Sequence, residues 1–321
     1  VTHYCTYFDR NFLIRGLALY RSMVEHCRPF LLHVLCLDDE THAYLTATGR
    51  PGINPIRLAD LERADPELLA VKSRRSLIEY YFTCTPALPL HVFATHPGAA
   101  SVTYIDADFY FFGDPAPFGR ALAARPVVIV PHRLPERLRH LEVYGTYNVG
   151  ILGFRNDAVG RECLGWWRAR CLEWCHDRLE DGKFADQKYL DALPTLFAGT
   201  AVLDHKGVNL APWNVANYRI GLRNGSVTID GDELVCYHFH NFRVLNRYLY
   251  QLGLREYGVR LSPVLARHIY RPYLQTIRGL MRDGHRAPHG LRTRWSAVGQ
   301  LTRLLDRRPL VVSVGDLIAG L

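Results

Sequence analysis

The sequence predicts an α/β protein built on a doubly wound, mostly parallel mixed sheet. Short β-branched apolar runs alternate with amphipathic helical stretches along the first 150 or so residues, the pattern of right-handed strand–helix–strand crossovers. The apolar runs end in acids: Phe8-Asp9, Leu37-Asp38-Asp39, and Ile105-Asp106-Ala107-Asp108. Ligands of such sheets bind beyond the carboxyl ends of the strands, so these acids mark one edge as the working edge. No run approaches the roughly 20 apolar residues of a membrane-spanning helix.

Taken in order, residues 2–8 read as a first strand, with Asp9 as a helix cap. Leu13, Leu17, Tyr20 and Val24 then recur at helical spacing. Residues 31–37 form a second strand, residues 40–48 a helix, residues 55–58 a short strand, and a helix starts at Leu61. Residues 72–93 read as one helix whose start is cationic (Lys72, Arg74, Arg75). Strands follow at residues 101–105, 127–130 and 147–154, the last reading YNVGILGF. A helix over residues 161–178 carries Trp166, Trp167 and Trp174; Phe184 to Gln187 opens a short helix that ends before Pro194. The loop HKGVNLAPWNVANYRI follows Asp204, and residues 226–229 and 233–237 make a hairpin around Asp230-Gly231. HFHNF at 238–242 and a basic helical region complete the chain, with residues 1–250 as one domain and 251–321 as a basic helical extension.

At 321 residues the chain can bury a sizeable core. Its eight cysteines include no C-x-x-C pair and sit mostly in apolar segments, as buried reduced thiols of a cytoplasmic protein do. The opening VTHYCTYF reads as a strand rather than a secretory leader. The net charge of +8 is concentrated after Arg255, where eleven further arginines, Arg260 to Arg308, are interleaved with Tyr270, Tyr273, Leu274, Ile277, Leu280 and Trp295. That mixture suits the surface of an anionic membrane, and a peripheral place at its inner face is the expectation; no nucleic-acid recognition motif accompanies it.

Asp106 and Asp108 carry the sharpest chemical signal. In an extended chain, residues two apart point to the same side, so both carboxylates reach one object. Paired acids at the end of an apolar strand repel unless a cation or proton relieves them, and all-oxygen ligands suit a hard divalent ion, Mn²⁺ or Mg²⁺.

In this order TYFDRNFLIRGLALYRSM, YIDAD, YNVGILGF, ADQKYLDAL and YHFHNFR resemble GT-A-type nucleotide-sugar glycosyltransferases, closest in layout to the glycogenin and bacterial lipopolysaccharide galactosyltransferase group. The resemblance spans residues 2–243. It implies a Rossmann-like GT-A sheet, a metal-dependent transfer of a hexose from a nucleotide sugar (UDP-linked), and a saccharide or lipid-linked acceptor of bacterial surface-polysaccharide synthesis. It implies His238 or His240 as the ligand that joins Asp106 and Asp108, with His238 directly after the strand. Thr6, Tyr7 and Asp9 match the segment that cradles the nucleotide, and Ala107 lies between the two acids. Arg75, or Lys72 and Arg74 beside it, matches the cationic helix at the diphosphate. Asn148 faces the donor sugar, Asp186 and Gln187 stand near the reacting carbon, and Trp213 and Asn214 form the acceptor platform. The resemblance leans to retention over inversion. One departure is the lack of the family's Gly-rich stretch with a Lys after the last His; Arg243 is the substitute cation. Two other readings accommodate D-x-D: a phosphohydrolase with Asp106 as nucleophile and Asp108 as acid/base, and a non-catalytic sugar-nucleotide-binding scaffold.

Overall fold

The computed structural model describes residues 1–246 and 248–284, together with a strand at residues 311–313. The arginines from Arg286 to Arg308, and Trp295, lie outside the described residues. In the first half of the chain β1 (Thr2–Phe8), α1 (Leu13–His26), β2 (Phe30–Cys36), α2 (Asp39–Thr48) and β3 (Ile53–Arg57) alternate as the sequence predicts. Two short helices, α3 (Leu58–Ala64) and α4 (Pro66–Val71), lead to α5 (Leu77–Thr95). Then come β4 (Ser101–Ile105), β5 (Phe109–Phe111), α6 (Ala116–Ala124), β6 (Val127–Pro131), β7 (Tyr147–Arg155), α7 (Ala158–Glu173), α8 (Leu193–Leu196) and β8 (Thr200–Val202). The last third is made of short pieces: β9 (Ile220–Arg223), β10 (Ser226–Ile229), β11 (Asp232–Glu233), β12 (Cys236–His238), β13 (Arg243–Val244), β14 (Leu249–Gln251), α9 (Pro263–Leu265), α10 (Arg271–Arg282) and β15 (Val311–Ser313).

Seven strands form the central sheet in the order β3-β2-β1-β4-β7-β6-β8. Every pairing is parallel except those of β7, which runs against both β4 and β6. This is the doubly wound, mixed but mostly parallel sheet that the sequence predicts. From β1 the chain moves outward to β2 and β3 and then returns to place β4 on β1's other side. The switch point lies between the carboxyl ends of β1 and β4, where Asp9 and Asp106 follow.

Both faces of the sheet are covered. On one, Leu17, Leu19 and Met23 of α1 share a core with Tyr273, Leu274, Ile277 and Leu280 of α10. On the other, Leu88 and Val92 of α5 and Trp167 of α7 pack with Leu35, Tyr104 and Phe154. Tyr250, Leu252 and Leu254 belong to the first of these cores, so the described start of the basic extension is packed into the domain. All eight cysteines are buried and free. No helix among the described residues is long and apolar enough to cross a membrane.

Four local expectations are corrected. The helix expected over residues 72–93 starts only at Leu77, because Ser76 and Glu79 form a reciprocal capping box; Lys72–Arg74 is a separate 3₁₀ turn. Asp9 does not occupy the cap position, which falls on Phe12; its carboxylate instead accepts from the backbone N–H groups of Asn11 (2.9 Å) and Phe12 (3.1 Å) and turns the chain into α1. Pro194 does not end the helical segment after Gln187 but sits in the first turn of α8, where its missing N–H costs nothing. The strand expected over residues 233–237 divides. Its start closes the Asp230-Gly231 hairpin, both turn residues having positive φ, while Cys236–His238 pairs antiparallel with β5.

Candidate functional site

The β5–β12 pairing assembles the site. It sets His238 opposite Phe109 and thereby brings the HFH segment beside the end of β4, more than 100 residues upstream. The backbone N–H of Phe239 donates to the carbonyl of Asp108 (2.9 Å), and that of His238 to Leu210 (2.8 Å). Gly150, in β7, is required here. A Cβ at that position would lie 2.8 Å from His238 Cε1 and 2.5 Å from Asn148 Oδ1, too close for either to stay.

Around this junction Nε2 of His238 lies 3.1 Å from Asp108 Oδ1 and 3.8 Å from Asp106 Oδ2. Tyr104 donates its hydroxyl to Asp106 Oδ1 (2.7 Å). One ligand atom from each of Asp108, His238 and His240 falls within 4.8 Å of the others, so the donor chemistry and spacing fit a divalent cation. The electrostatics agree with that fit. Burial works to raise both carboxyls; for Asp106 it prevails, whereas for Asp108 the charge and hydrogen bond of His238 outweigh it and hold the group below the usual range. Burial also works to neutralise His238, but the Asp108 charge prevails and keeps its pKa above the ordinary value. The cluster is a set of buried charges held in place by one another.

Asp106 and the two imidazoles open into a cavity of about 440 Å³. Tyr7, Asn148, Asp186, Gln187 and Trp213 line it together with Asp106, His238 and His240, so the structure brings these predicted residues to one place. Asn148 Oδ1 accepts from the Gly150 N–H (3.2 Å), and Gln187 donates Nε2 to the Tyr144 carbonyl (3.0 Å). Asp186 follows Ala185, a non-glycine residue at φ 46°, and its carboxyl Oδ2 is buried without a hydrogen-bond partner among the described residues. Burial, with the neighbouring Asp106 charge adding to it, pushes Asp186 up to about 7.

Other predicted residues lie elsewhere. Arg75 donates to the carbonyls of Cys171 (3.4 Å) and Leu172 (3.1 Å), closing the end of α7, where the unpaired carbonyls of a helix C-terminus favour a cation. Lys72 is paired with Glu62 at 2.6 Å. Thr6 is fully buried in the sheet, and Arg243 is exposed on the small β13–β14 ribbon. None of these four, nor Asp9, lines the cavity. Asn214 is fully buried, and its amide is consumed internally: Oδ1 accepts from Ala211 N–H, and Nδ2 donates to the carbonyls of His132 and Asn209. It cannot meet an acceptor as it stands; it holds the loop that presents Trp213, whose Nε1 also donates to the His132 carbonyl (2.9 Å).

Two functional neighbours escape the sequence reading. His132 lines the cavity with Nε2 3.2 Å from Asn148 Nδ2, and burial lowers its pKa to about 4, so it is neutral and accepts from the amide. Arg15, in α1, is buried with its guanidinium over Phe12 (4.4 Å), donates to the Phe242 carbonyl, and helps to hold Asp108 ionised. The available signal for Arg15 was a lone cation within the apolar run LIRGLAL; for His132 there was none.

No family model matches the chain. Among solved structures it is similar to galactosyltransferase LgtC in complex with donor and acceptor sugar analogues, at 14% identity over 92% of this chain and 99% of that one, with a TM-score of 0.49. Apo mouse xyloside xylosyltransferase 1 is similar at 12% identity over 75% and 98%, with a TM-score of 0.48. The fold assignment rests on the strand order rather than on likenesses of this size. Sequence relatives are nearer. The uncharacterized protein YfnF of Bacillus subtilis (strain 168) is 32% identical over 251 residues, 76% of this chain and 82% of that protein. Protein YfnD of the same organism, also uncharacterized, is 30% identical over 282 residues, 86% and 88% of the two chains. With identity at that level across most of its length, the chain belongs to the family that contains YfnF and YfnD.

Proposed function

We propose that the protein is a metal-dependent glycosyltransferase that moves a hexose from a UDP-linked sugar to a saccharide or lipid-linked glycan acceptor, in bacterial surface-polysaccharide synthesis. The observation that carries this reading is the meeting of Asp106, Asp108 and His238 at the switch point of the doubly wound sheet, with Asp106 and His238 on the wall of a cavity that Asp186 also lines. Asp106, Asp108 and His238 are the residues that would hold Mn²⁺ or Mg²⁺, and the ion, when bound, supplies a Lewis acid for the charge developing on a diphosphate leaving group.

The chain's own residues carry the rest of the reading. Tyr7, whose ring stands against those of Tyr81 and Tyr104, offers an aromatic wall at the end of β1 for a nucleobase. Asn148 and Gln187 present amides to sugar hydroxyls, their orientation held by His132 and the Tyr144 carbonyl. Trp213 offers the acceptor face. Asp186 would stand beside the sugar carbon and stabilise positive charge there in a retaining transfer; the anomeric configuration of the product, read by NMR, tests this, and an inverted product would make Asp186 the general base instead. The phosphohydrolase reading is less well supported, because Asp106 is tied by Tyr104 and sits on the fourth strand of the chain rather than the first. For residues 251–321 the proposal is a region that associates with the cytoplasmic face of an anionic membrane, outside the catalytic work of residues 1–250. Loss of liposome sedimentation on deleting residues 285–321, which spares α10 and its core contacts, would support that role, and sedimentation unaffected by the deletion would remove it.

The decisive experiment is a panel of nucleotide sugars, with and without Mn²⁺, scored for binding and for slow release of free nucleotide. One donor bound and hydrolysed only with metal, and not by Asp106→Ala or Asp108→Ala, is expected. Failure to bind any donor would overturn the reading.

A further inference from the structure

The two histidines of the HFH segment are not equivalent in sequence, yet the fold turns both toward the same acid. His238 ends β12 and His240 lies two residues on, in the turn that follows, where the Phe242 N–H donates to the Phe239 carbonyl (3.0 Å). Their ring centroids lie 5.6 Å apart with the planes at 90°. Trp213 meets the edge of each, at 5.2 Å from His238 and 5.4 Å from His240, and Tyr257 borders His240 at 6.2 Å. The two rings are therefore held by packing. Among the described residues no hydrogen bond is made to the His240 ring, whereas His238 is engaged by Asp108 at 3.1 Å. This cavity-lining imidazole, fixed by aromatic edges beside a carboxylate and a second imidazole, has the donor chemistry and surroundings of a metal ligand. One ligand atom from each of Asp108, His238 and His240 falls within 4.8 Å of the others, a cluster that side-chain adjustment can close around one ion.

We propose that His240 is a metal ligand alongside His238 and the acids, and that the resulting pair of imidazoles makes the site select a first-row transition ion over Mg²⁺. The proposal rests on the metal-site reading above and adds a ligand and a selectivity to it. Mg²⁺ favours an all-oxygen octahedral shell and gives up its waters reluctantly, whereas nitrogen donors are accepted more readily by Mn²⁺, Fe²⁺, Co²⁺ and Zn²⁺. Each imidazole added to the carboxylates moves the site further from Mg²⁺. Asp106, already bonded through Oδ1 to Tyr104, then acts as the more constrained of the two acids.

The test uses the full-length protein and Mn²⁺ as the probe, with and without UDP. Electron spin-echo spectroscopy of bound Mn²⁺ counts coupled nitrogens directly and needs no variant; two imidazole nitrogens are expected in the wild type and one in His240→Ala. Titration followed by electron paramagnetic resonance should show His240→Ala binding Mn²⁺ on the order of 10- to 100-fold more weakly, the scale seen for groups that support metal ligands. Mg²⁺ affinity, read by competition, should change far less, so the Mn²⁺-over-Mg²⁺ preference narrows. His240→Gln, closer in shape, guards against a folding defect and should give the same single nitrogen. One coupled nitrogen in the wild type, or an unchanged preference in both variants, overturns the inference while leaving a two-acid, one-histidine site intact. No Mn²⁺ uptake under any condition overturns the inference and the metal-dependent reading together.

Discussion

The protein carries two buried histidine clusters, one beyond the carboxyl end of the central sheet and one toward its amino end, and the two behave oppositely. At the carboxyl end His238 faces Asp108 and Asp106, and their charges hold its pKa up against the pull of burial. Toward the amino end His33, fully buried in β2, faces His3 and His96 instead. The Asn54 side chain donates to its Nδ1 (2.9 Å), which leaves Nε2 to donate to His3 Nδ1 (3.0 Å). Burial, and then the neighbouring histidines His96, His3 and His91, lower its pKa to about 3. Both rings are buried, His238 on the β5–β12 ribbon and His33 in the central sheet, so burial alone does not decide the charge of a histidine; its partners do. Carboxylates make a corner whose charge suits a cation, and an amide with other imidazoles makes a neutral structural one.

The largest effect should come from removing the carboxylate that defines the first cluster. Asp108→Ala is expected to lower metal-dependent donor turnover by at least about two orders of magnitude, measured as nucleotide release, with thermal stability far less affected. Unchanged turnover would erase the contrast between the two ends. Next is the pH dependence of stability, which belongs to the neutral cluster. His33 binds its proton at about 6.5 when unfolded and about 3 when folded, so the unfolded chain takes up the proton first as pH falls. Stability is full above the unfolded value and is lost as pH drops through that window, by up to on the order of 4 kcal/mol. Denaturant titrations from pH 7 to pH 4 should show this loss, and His33→Gln should reduce its slope, with His132 and His240, each lowered by burial to about 4, supplying part of what remains; an equal slope in the variant would transfer the effect to other groups.

A smaller effect, on the order of 1–3 kcal/mol, is expected for Gly150→Ala, since the new methyl must displace His238 or Asn148. Chemical denaturation would show the loss together with weakened Mn²⁺ binding, and full binding would mean that the corner tolerates movement. The smallest is Asn54→Ala, which leaves His33 Nδ1 without its donor and should cost about 1–2 kcal/mol without altering Mn²⁺ binding. A change in metal binding there would show the two clusters to be coupled through the sheet.

Period-two patterns and strand ends were legible in the sequence. The D-x-D pair, the β1–α1–β2–α2–β3 alternation, the YNVGILGF strand and the Asp230-Gly231 turn depend on neighbours within a few residues, and each lies where local geometry puts it. Cationic side chains were less legible. Arg75 and Lys72 carry the residue types that a diphosphate needs, but they satisfy a helix end and Glu62, because a long flexible side chain takes whichever acceptor the packing brings close. Asn214 was misread for a related reason: a buried amide is judged by its hydrogen bonds, and those come from His132 and Asn209, which sequence proximity does not reveal together.

By itself the sequence determined the doubly wound sheet and the acid pair at the end of its fourth strand. These follow from backbone periodicity and from the cost of burying charges without a counter-ion. Only the tertiary structure decided that β7 runs backward between β4 and β6, and that β12 leaves its hairpin to pair with β5. Only it buried Arg15 behind Asp108 and made His132 the neutral partner of Asn148. Those outcomes depend on contacts between segments more than 100 residues apart in some cases and on which buried polar groups are left to satisfy one another, and no local pattern in the chain encodes either.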